Sequence, residues 1–153
     1  MSGGTILLVE DEPDDAHLLI RAFRKAGAAN PIRHVADGDA AIAYFAGEAP
    51  FGNRQEYPLP IVVLLDLKLP RRSGFEVLAW LRDQPVLRRL PVVVLTSSGQ
   101  LDDVNRAYDL GANSYLVKPV TTVALHDMVR AVHAYWIGLN RPAQVNPVPD
   151  QRL

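Results

Sequence analysis

Four short segments of the chain carry residue types that handle phosphoryl groups and hard cations. Glu10-Asp11-Glu12 is an acidic run directly after an apolar stretch, Asp66 ends the apolar run Ile61–Leu65, Thr96 and Ser97 follow Val92–Leu95, and Lys118-Pro119 follows Ser114–Val117. Each has an ordinary reading when taken alone. An acidic run ahead of a helix is a solvated cap, a threonine ahead of a helix is another, and a lysine beside a proline is a surface lysine. Asp66 resists that treatment: an acid closing a strongly apolar segment, if gathered with Glu10 and Asp11, is repelled unless a cation sits among them. Hard oxygen ligands with no His or Cys beside them suit magnesium or manganese and not zinc. A carboxylate whose oxygens are neutralised by metal and ammonium, with a hydroxyl completing the hydrogen bonding, can accept a phosphoryl group. Asp66 is therefore the candidate nucleophile, with Glu10 and Asp11 beside it for the metal, Lys118 as the ammonium and Thr96 as the hydroxyl.

These residues act together only if the fold carries them to one place. Thr5–Val9, Ile32–Val35, Ile61–Leu65, Val92–Leu95 and Ser114–Val117 are short apolar runs rich in β-branched residues and read as strands. Between them the apolar spacing changes to three and four. It predicts helices over Asp14–Ala26, with Leu18, Leu19, Ala22, Phe23 and Ala26 on one stripe, and over Asp39–Ala46, Gly74–Arg82, Leu101–Leu110 and Thr122–Trp136, with Gly27 and Gly111 as stops. Near-continuous apolar strands alternating with helices argue a parallel sheet covered on both faces with right-handed crossovers. In such an open sheet, ligands bind beyond the carboxyl ends of the strands where the winding reverses. The acidic run, Asp66, Thr96 and Lys118 follow strands one, three, four and five; the second strand ends in Ala36-Asp37, which reads as turn chemistry.

Composition is consistent with this. A length of 153 residues with 48% hydrophobic and 22% charged residues fits one globular domain. Sixteen basic against seventeen acidic residues, a net charge of -1, provide no global field toward nucleic acid or anionic lipid, so no direct DNA binding is expected. The absence of cysteine excludes disulfides, thiolate zinc sites and cysteine nucleophiles. The opening Met-Ser-Gly-Gly is not a signal peptide, and Asp66 and Pro91 interrupt the longest apolar runs before a membrane-spanning length. A cytoplasmic location is expected. Two segments fall outside the alternation: a long Pro50–Pro60 connection, and a tail after Gly138 with Pro142, Pro147 and Pro149. The expected division is a domain over 1–137 and a Pro-rich extension over 138–153.

Val-Glu-Asp-Glu, Leu-Leu-Asp-Leu-Lys-Leu-Pro, Leu-Thr-Ser-Ser and Tyr-Leu-Val-Lys-Pro-Val, in this order and each after a strand, resemble the receiver domain of two-component response regulators over about Thr5–Trp136. The resemblance implies a flavodoxin-like, doubly wound α/β fold with a five-stranded parallel sheet of order 2-1-3-4-5 and helices on both faces. It implies that Asp66 accepts phosphate from the phosphohistidine of a sensor histidine kinase, and that Glu10, Asp11, Asp66 and the backbone carbonyl of Lys68 hold Mg2+. Thr96 and Lys118 would bind the phosphoryl oxygens, and Thr96 and Tyr115 would form the switch. It also implies a cis Lys118-Pro119 bond, which proline makes affordable. Glu10, where aspartate is more usual, and Lys68, a cation near the phosphate, depart from the commonest family pattern. With no output domain expected after the last helix, the chain resembles single-domain regulators that act through another protein, such as a phosphotransfer protein. It would be a phosphoacceptor switch with self-catalysed transfer and slow autodephosphorylation, not an enzyme acting on an external substrate. The Pro50–Pro60 loop and the ending Ala-Tyr-Trp-Ile-Gly-Leu-Asn-Arg-Pro resemble regulators paired with bacterial phytochrome kinases.

Other classes fit less well. A haloacid-dehalogenase-type enzyme also uses an aspartate and magnesium but needs a second acid where Lys68 stands, and a flavin carrier on the same sheet needs a phosphate cradle where the acidic run stands. A receiver-like module that binds partners without phosphorylation would not need the full acceptor set. At the end of the last helix, Tyr135, Trp136, Ile137 and Leu139 place four large apolar groups together. They are expected to contact a second copy in a homodimer, with the tail as an arm across a two-fold axis; the alternative is a tail folded onto its own domain.

Overall fold

The computed structural model describes residues 4–146. Pro147 and Pro149 of the expected extension lie outside the described residues. The strands are β1 (Ile6–Val9), β2 (Ile32–Val35), β3 (Val62–Leu65), β4 (Val92–Thr96) and β5 (Ser114–Val117), and the helices are α1 (Pro13–Lys25), α2 (Gly38–Ala46), α3 (Gly74–Arg82), α4 (Leu101–Asp109) and α5 (Thr122–Val132). The five strands form one sheet of order β2-β1-β3-β4-β5, and every pairing is parallel. The expected α/β architecture is the observed one.

Alternation along the strands divides the core in two. Leu7, Val9, Val63 and Leu65 face α2 and α3, whereas Ile6, Leu8, Val62 and Leu64 face α1 and α5. Burial on both faces explains the continuous apolar runs, each fully buried Leu, Ile or Val contributing about 1.5–3 kcal/mol. Sequence chemistry sets the helix ends. Asp37 accepts from Ala40 N at the start of α2, and Ser73 and Glu76 form a reciprocal capping box at the start of α3. Arg54, in the 50–60 connection, donates to Tyr44 O and Phe45 O and so occupies the last carbonyls of α2. Tyr57 meets Tyr44 and Phe51 edge-on, which makes this long connection a packed element.

Several expectations need correction. Leu18 does not belong to the buried stripe: Ala16, Leu19, Ala22 and Phe23 face the sheet, and Leu18, turned by about 100° from Leu19, is 43% exposed. Leu101 and Tyr108, expected to help define the apolar face of α4, are also exposed, and Ala107 is the residue buried there. The last helix does not stay α-helical to Trp136. It ends at Val132 and continues in π-helical geometry over His133–Leu139, closed by Asn140 N donating to Tyr135 O at 2.7 Å. This wider turn brings Trp136 and Ile137 onto the α1/α5 side of the core, while Tyr135 and Leu139 remain exposed.

The described part of the tail then returns across its own domain. Val145 packs against the α2/α3 core, and Arg89 donates to Gln144 O. Asn146 pairs with the backbone of Leu59 in both directions, at 2.8 and 2.9 Å. The amide replaces a strand neighbour for a backbone unit that would otherwise be unpaired, and this favours the folded-back course. Lys118-Pro119 is trans, against the implied cis bond, and Ala49-Pro50 is the cis bond among the described residues. Trans is the lower-energy form, and Lys118 reaches its carboxylates from it.

Candidate functional site

The carboxyl ends of β1, β3, β4 and β5 converge. Glu10 directly follows β1 and is turned inward to 1% exposure; it is not part of a solvated cap. Its Oε2 accepts from Glu12 N at 3.1 Å, which leaves Oε1 for the ammonium of Lys118. Asp66 directly follows β3 and is 6% exposed. Its Oδ1 accepts from Thr96 Oγ1 at 2.9 Å and from Lys68 N at 3.2 Å, and its Oδ2 accepts from Lys118 Nζ at 3.0 Å. Thr96 is fully buried and serves as a hydrogen-bond donor here, not as a helix cap.

Close backbone packing fixes Asp66. Gly74 opens α3 against the Asp66 carbonyl so closely that a Cβ there would lie 2.2 Å from that oxygen. Only glycine permits this approach. The connection between β3 and α3 is also tied to α2: Gly38 N donates to Pro70 O, and Arg72 pairs with Asp39 at 3.0 Å.

The electrostatics follow from burial and pairing. Burial drives the Glu10 carboxyl up to about 7 despite the opposing ammonium of Lys118. For Lys118 burial acts against the charged form, but hydrogen bonds to Glu10 and Asp66 together outweigh it and hold the ammonium above its ordinary range. Carboxylate oxygens of Glu10, Asp11 and Asp66 lie within 4.8 Å of one another. Three hard oxygen donors with no His or Cys fit a divalent cation that keeps part of its water shell. The Lys68 backbone is at the site through its N–H, with its side chain exposed.

Tyr115, expected as the second switch residue, is half-buried and donates from its hydroxyl to Ser98 O at 2.7 Å, two residues beyond Thr96. Ser98 in turn donates to Asp103 at 2.6 Å. The two switch candidates thus hold opposite ends of one short loop. Tyr135, Trp136, Ile137 and Leu139 are remote from this site in the fold. Sequence reasoning missed Asp15, whose Oδ2 lies 3.2 Å from Lys118 Nζ; its place four residues after Asp11 on the following helix was the available signal. It also missed Gly74 and Ser98.

Comparison with known proteins shows the family and the fold. Residues 6–130 match the family model described as the response regulator receiver domain. The chain is 43% identical to the probable methanogenesis regulatory protein FilR2 of Methanothrix harundinacea, over 89% of this chain and 85% of that protein. It is 38% identical to the response regulator Rcp1 of Synechocystis, over 86% and 88%, a protein also solved in a Mn2+-bound form that superposes with a TM-score of 0.83 over 92% of this chain and 99% of that one at 35% identity. The phosphorylated cyanobacterial phytochrome response regulator RcpA superposes with a TM-score of 0.85 over 92% and 98%, at 34% identity. Among the described residues no helix is long and apolar enough to cross a membrane.

Proposed function

The chain belongs to the response regulator receiver family, and from that premise we propose that it takes a phosphoryl group from the phosphohistidine of a sensor histidine kinase onto Asp66. The observation that carries this is the direction of the donors. Thr96 Oγ1 and Lys118 Nζ meet the two different carboxylate oxygens of Asp66 at 2.9 and 3.0 Å, so whichever oxygen attacks, a donor remains to hold the other. Magnesium, held by Glu10, Asp11, Asp66 and the Lys68 carbonyl, would neutralise the charge gathered on the transferring oxygens. Lys118 orients the acceptor before transfer and then contacts a phosphoryl oxygen, and Thr96 follows the other. The same residues support slow autodephosphorylation, with the chain acting as a switch and not on an external substrate.

Movement of Thr96 toward the phosphoryl group pulls the loop that Tyr115 holds at Ser98, and the α4-β5-α5 face changes with it. That face exposes Leu101 at 69%, Val123 at 73% and Val120 fully, which suits a downstream protein such as a phosphotransfer domain. The relatives Rcp1 and RcpA make a bacterial phytochrome the kinase of choice, and a cytoplasmic setting accompanies that pairing. The proposed extent of the receiver domain is 1–137, with 138–153 as its extension. A homodimer is retained in this reading, but on the exposed Tyr135 and Leu139, since Trp136 and Ile137 serve their own core. Intact-mass measurement after incubation with acetyl phosphate and magnesium tests the reading: one added phosphoryl group is expected, and none in Asp66→Asn or after metal removal. Undiminished labelling of Asp66→Asn would overturn it.

A further inference from the structure

Lys118 holds three carboxylates, and only two of them belong to the phosphoryl chemistry. The third is Asp15, in the first turn of α1, whose Oδ2 is 3.2 Å from Nζ and whose side chain is 45% exposed. An ammonium has three donors, and here they serve one acceptor after β1, one after β3 and one on α1. The cycle proposed above changes two of these acceptors, because Glu10 turns to the metal and Asp66 loses its negative charge as one oxygen becomes the bridging oxygen of an acyl phosphate. Asp15 has neither task. Its backbone is fixed by Ala16 and Leu19, which are buried against the sheet, and Lys118 is its ion-pair partner among the described residues.

We propose that Asp15 is a positioning residue for phosphoryl transfer, holding the Lys118 ammonium beside Asp66 after Glu10 has released it. This rests on the reading of Asp66 as acceptor. A carboxylate at this place has two opposed effects: it anchors the ammonium, and it repels an anionic donor approaching along α1. The anchoring is short-range and directional, while the repulsion acts through solvent across an exposed side chain and is screened. Anchoring therefore dominates, and the sign of the rate change distinguishes the two.

The test compares Asp15→Ala, Asp15→Asn and Asp15→Glu with the wild-type chain in two measurements. The first is the initial rate of phosphorylation by acetyl phosphate with magnesium, at matched thermal stability. The second, on magnesium-loaded protein labelled with 15N-lysine, in which Glu10 has turned to the metal, is the Lys118 ammonium resonance, which is visible only while its protons exchange slowly. Asp15→Ala is expected to slow phosphorylation about threefold to fivefold, the scale of one partly exposed charge-assisted hydrogen bond, and to lose the resonance. Asp15→Asn, which keeps an acceptor, falls between, and Asp15→Glu restores most of both. An unchanged or faster rate overturns the proposal, and so does a slower rate with an unaltered resonance, which marks a merely structural effect. If the wild-type chain gains no phosphoryl group, the acceptor reading fails and the role of Asp15 fails with it; if it does and the variants match it, Asp15 alone is wrong.

Discussion

Replacing Lys118 with methionine keeps most of the side-chain length and removes the ammonium that bridges Glu10 and Asp66, whose side chains are 1% and 8% exposed. With Nζ at 3.0 Å from Asp66 Oδ2, the gross attraction is about 5 kcal/mol at an effective dielectric of about 20. Removing one partner of a buried pair costs about 3 kcal/mol. Proton uptake limits that cost. Glu10 is raised to about 7 with the ammonium beside it; without the ammonium it rises further, and Glu10 protonates before it remains buried and charged. A carboxyl whose folded value lies above its unfolded one binds its proton more tightly in the folded state. Its contribution is complete below the unfolded value and fades as pH rises through the folded one. Lys118→Met should therefore lose about 3 kcal/mol near pH 8, roughly 6 to 12 °C in Tm, and about half of that near pH 6. Magnesium should narrow the gap near pH 8 by supplying the missing positive charge. Urea unfolding followed by circular dichroism, at both pH values with and without magnesium, measures this. Equal destabilisation under all four conditions would refute the charge argument.

Thr96→Ala should still accept the phosphoryl group but lose most of the accompanying change in amide exchange on α4, β5 and α5; identical exchange changes in variant and wild type would show that Thr96 does not couple the site to that face. Burial, opposed by Arg33 and Arg54, raises Tyr44 from 10.0 to about 12, so its contribution to stability is complete below about pH 10 and fades as pH climbs through about 12. Tyr44→Phe loses the hydrogen bond to Pro58 O, about 1 kcal/mol at neutral pH, and its unfolding curve should approach that of wild type across that alkaline window. Asn146→Ala removes both hydrogen bonds to Leu59 and should raise amide exchange at Leu59 about tenfold while leaving phosphorylation by acetyl phosphate unchanged.

The parts legible in the sequence were those with local causes. α3 was read to the residue, Gly74–Arg82, because Phe75, Val77, Leu78 and Leu81 keep a clean helical period; the capping box of Ser73 and Glu76 fixes its start in the structure. The strands were legible because two-sided burial leaves unbroken apolar runs, and their order placed the acidic run, Asp66, Thr96 and Lys118 at one edge. What escaped depends on distance or on small angular differences. Leu18 and Leu19 are equally apolar, and only docking decides which of two neighbours 100° apart faces inward. The π-helical turn at His133–Leu139 has the same apolar spacing over one turn as an α-helix would, yet it redirects Trp136 and Ile137. The pairing of Asn146 with Leu59 spans 87 residues, and nothing near either residue announces it. Asp15 stood in view as an acid in the first turn of a helix, where carboxylates are common, and only the position of Lys118 separates it from Asp14.

The tail clasps the sheet at the amino-terminal ends of its strands, beside Leu59 and Arg89, whereas the acidic pocket lies at the carboxyl ends, beyond the roughly 13 Å length of β3. A lineage carrying this arrangement can vary one end without retuning the other. The 50–60 connection and residues 140–146 must then change as a pair, since each supplies what the other lacks, but neither constrains the acceptor chemistry. Grafted together onto another receiver, the two segments form a transplantable module. Grafted singly, either one leaves Leu59 or Asn146 without its complement, and chimeras should divide along that line.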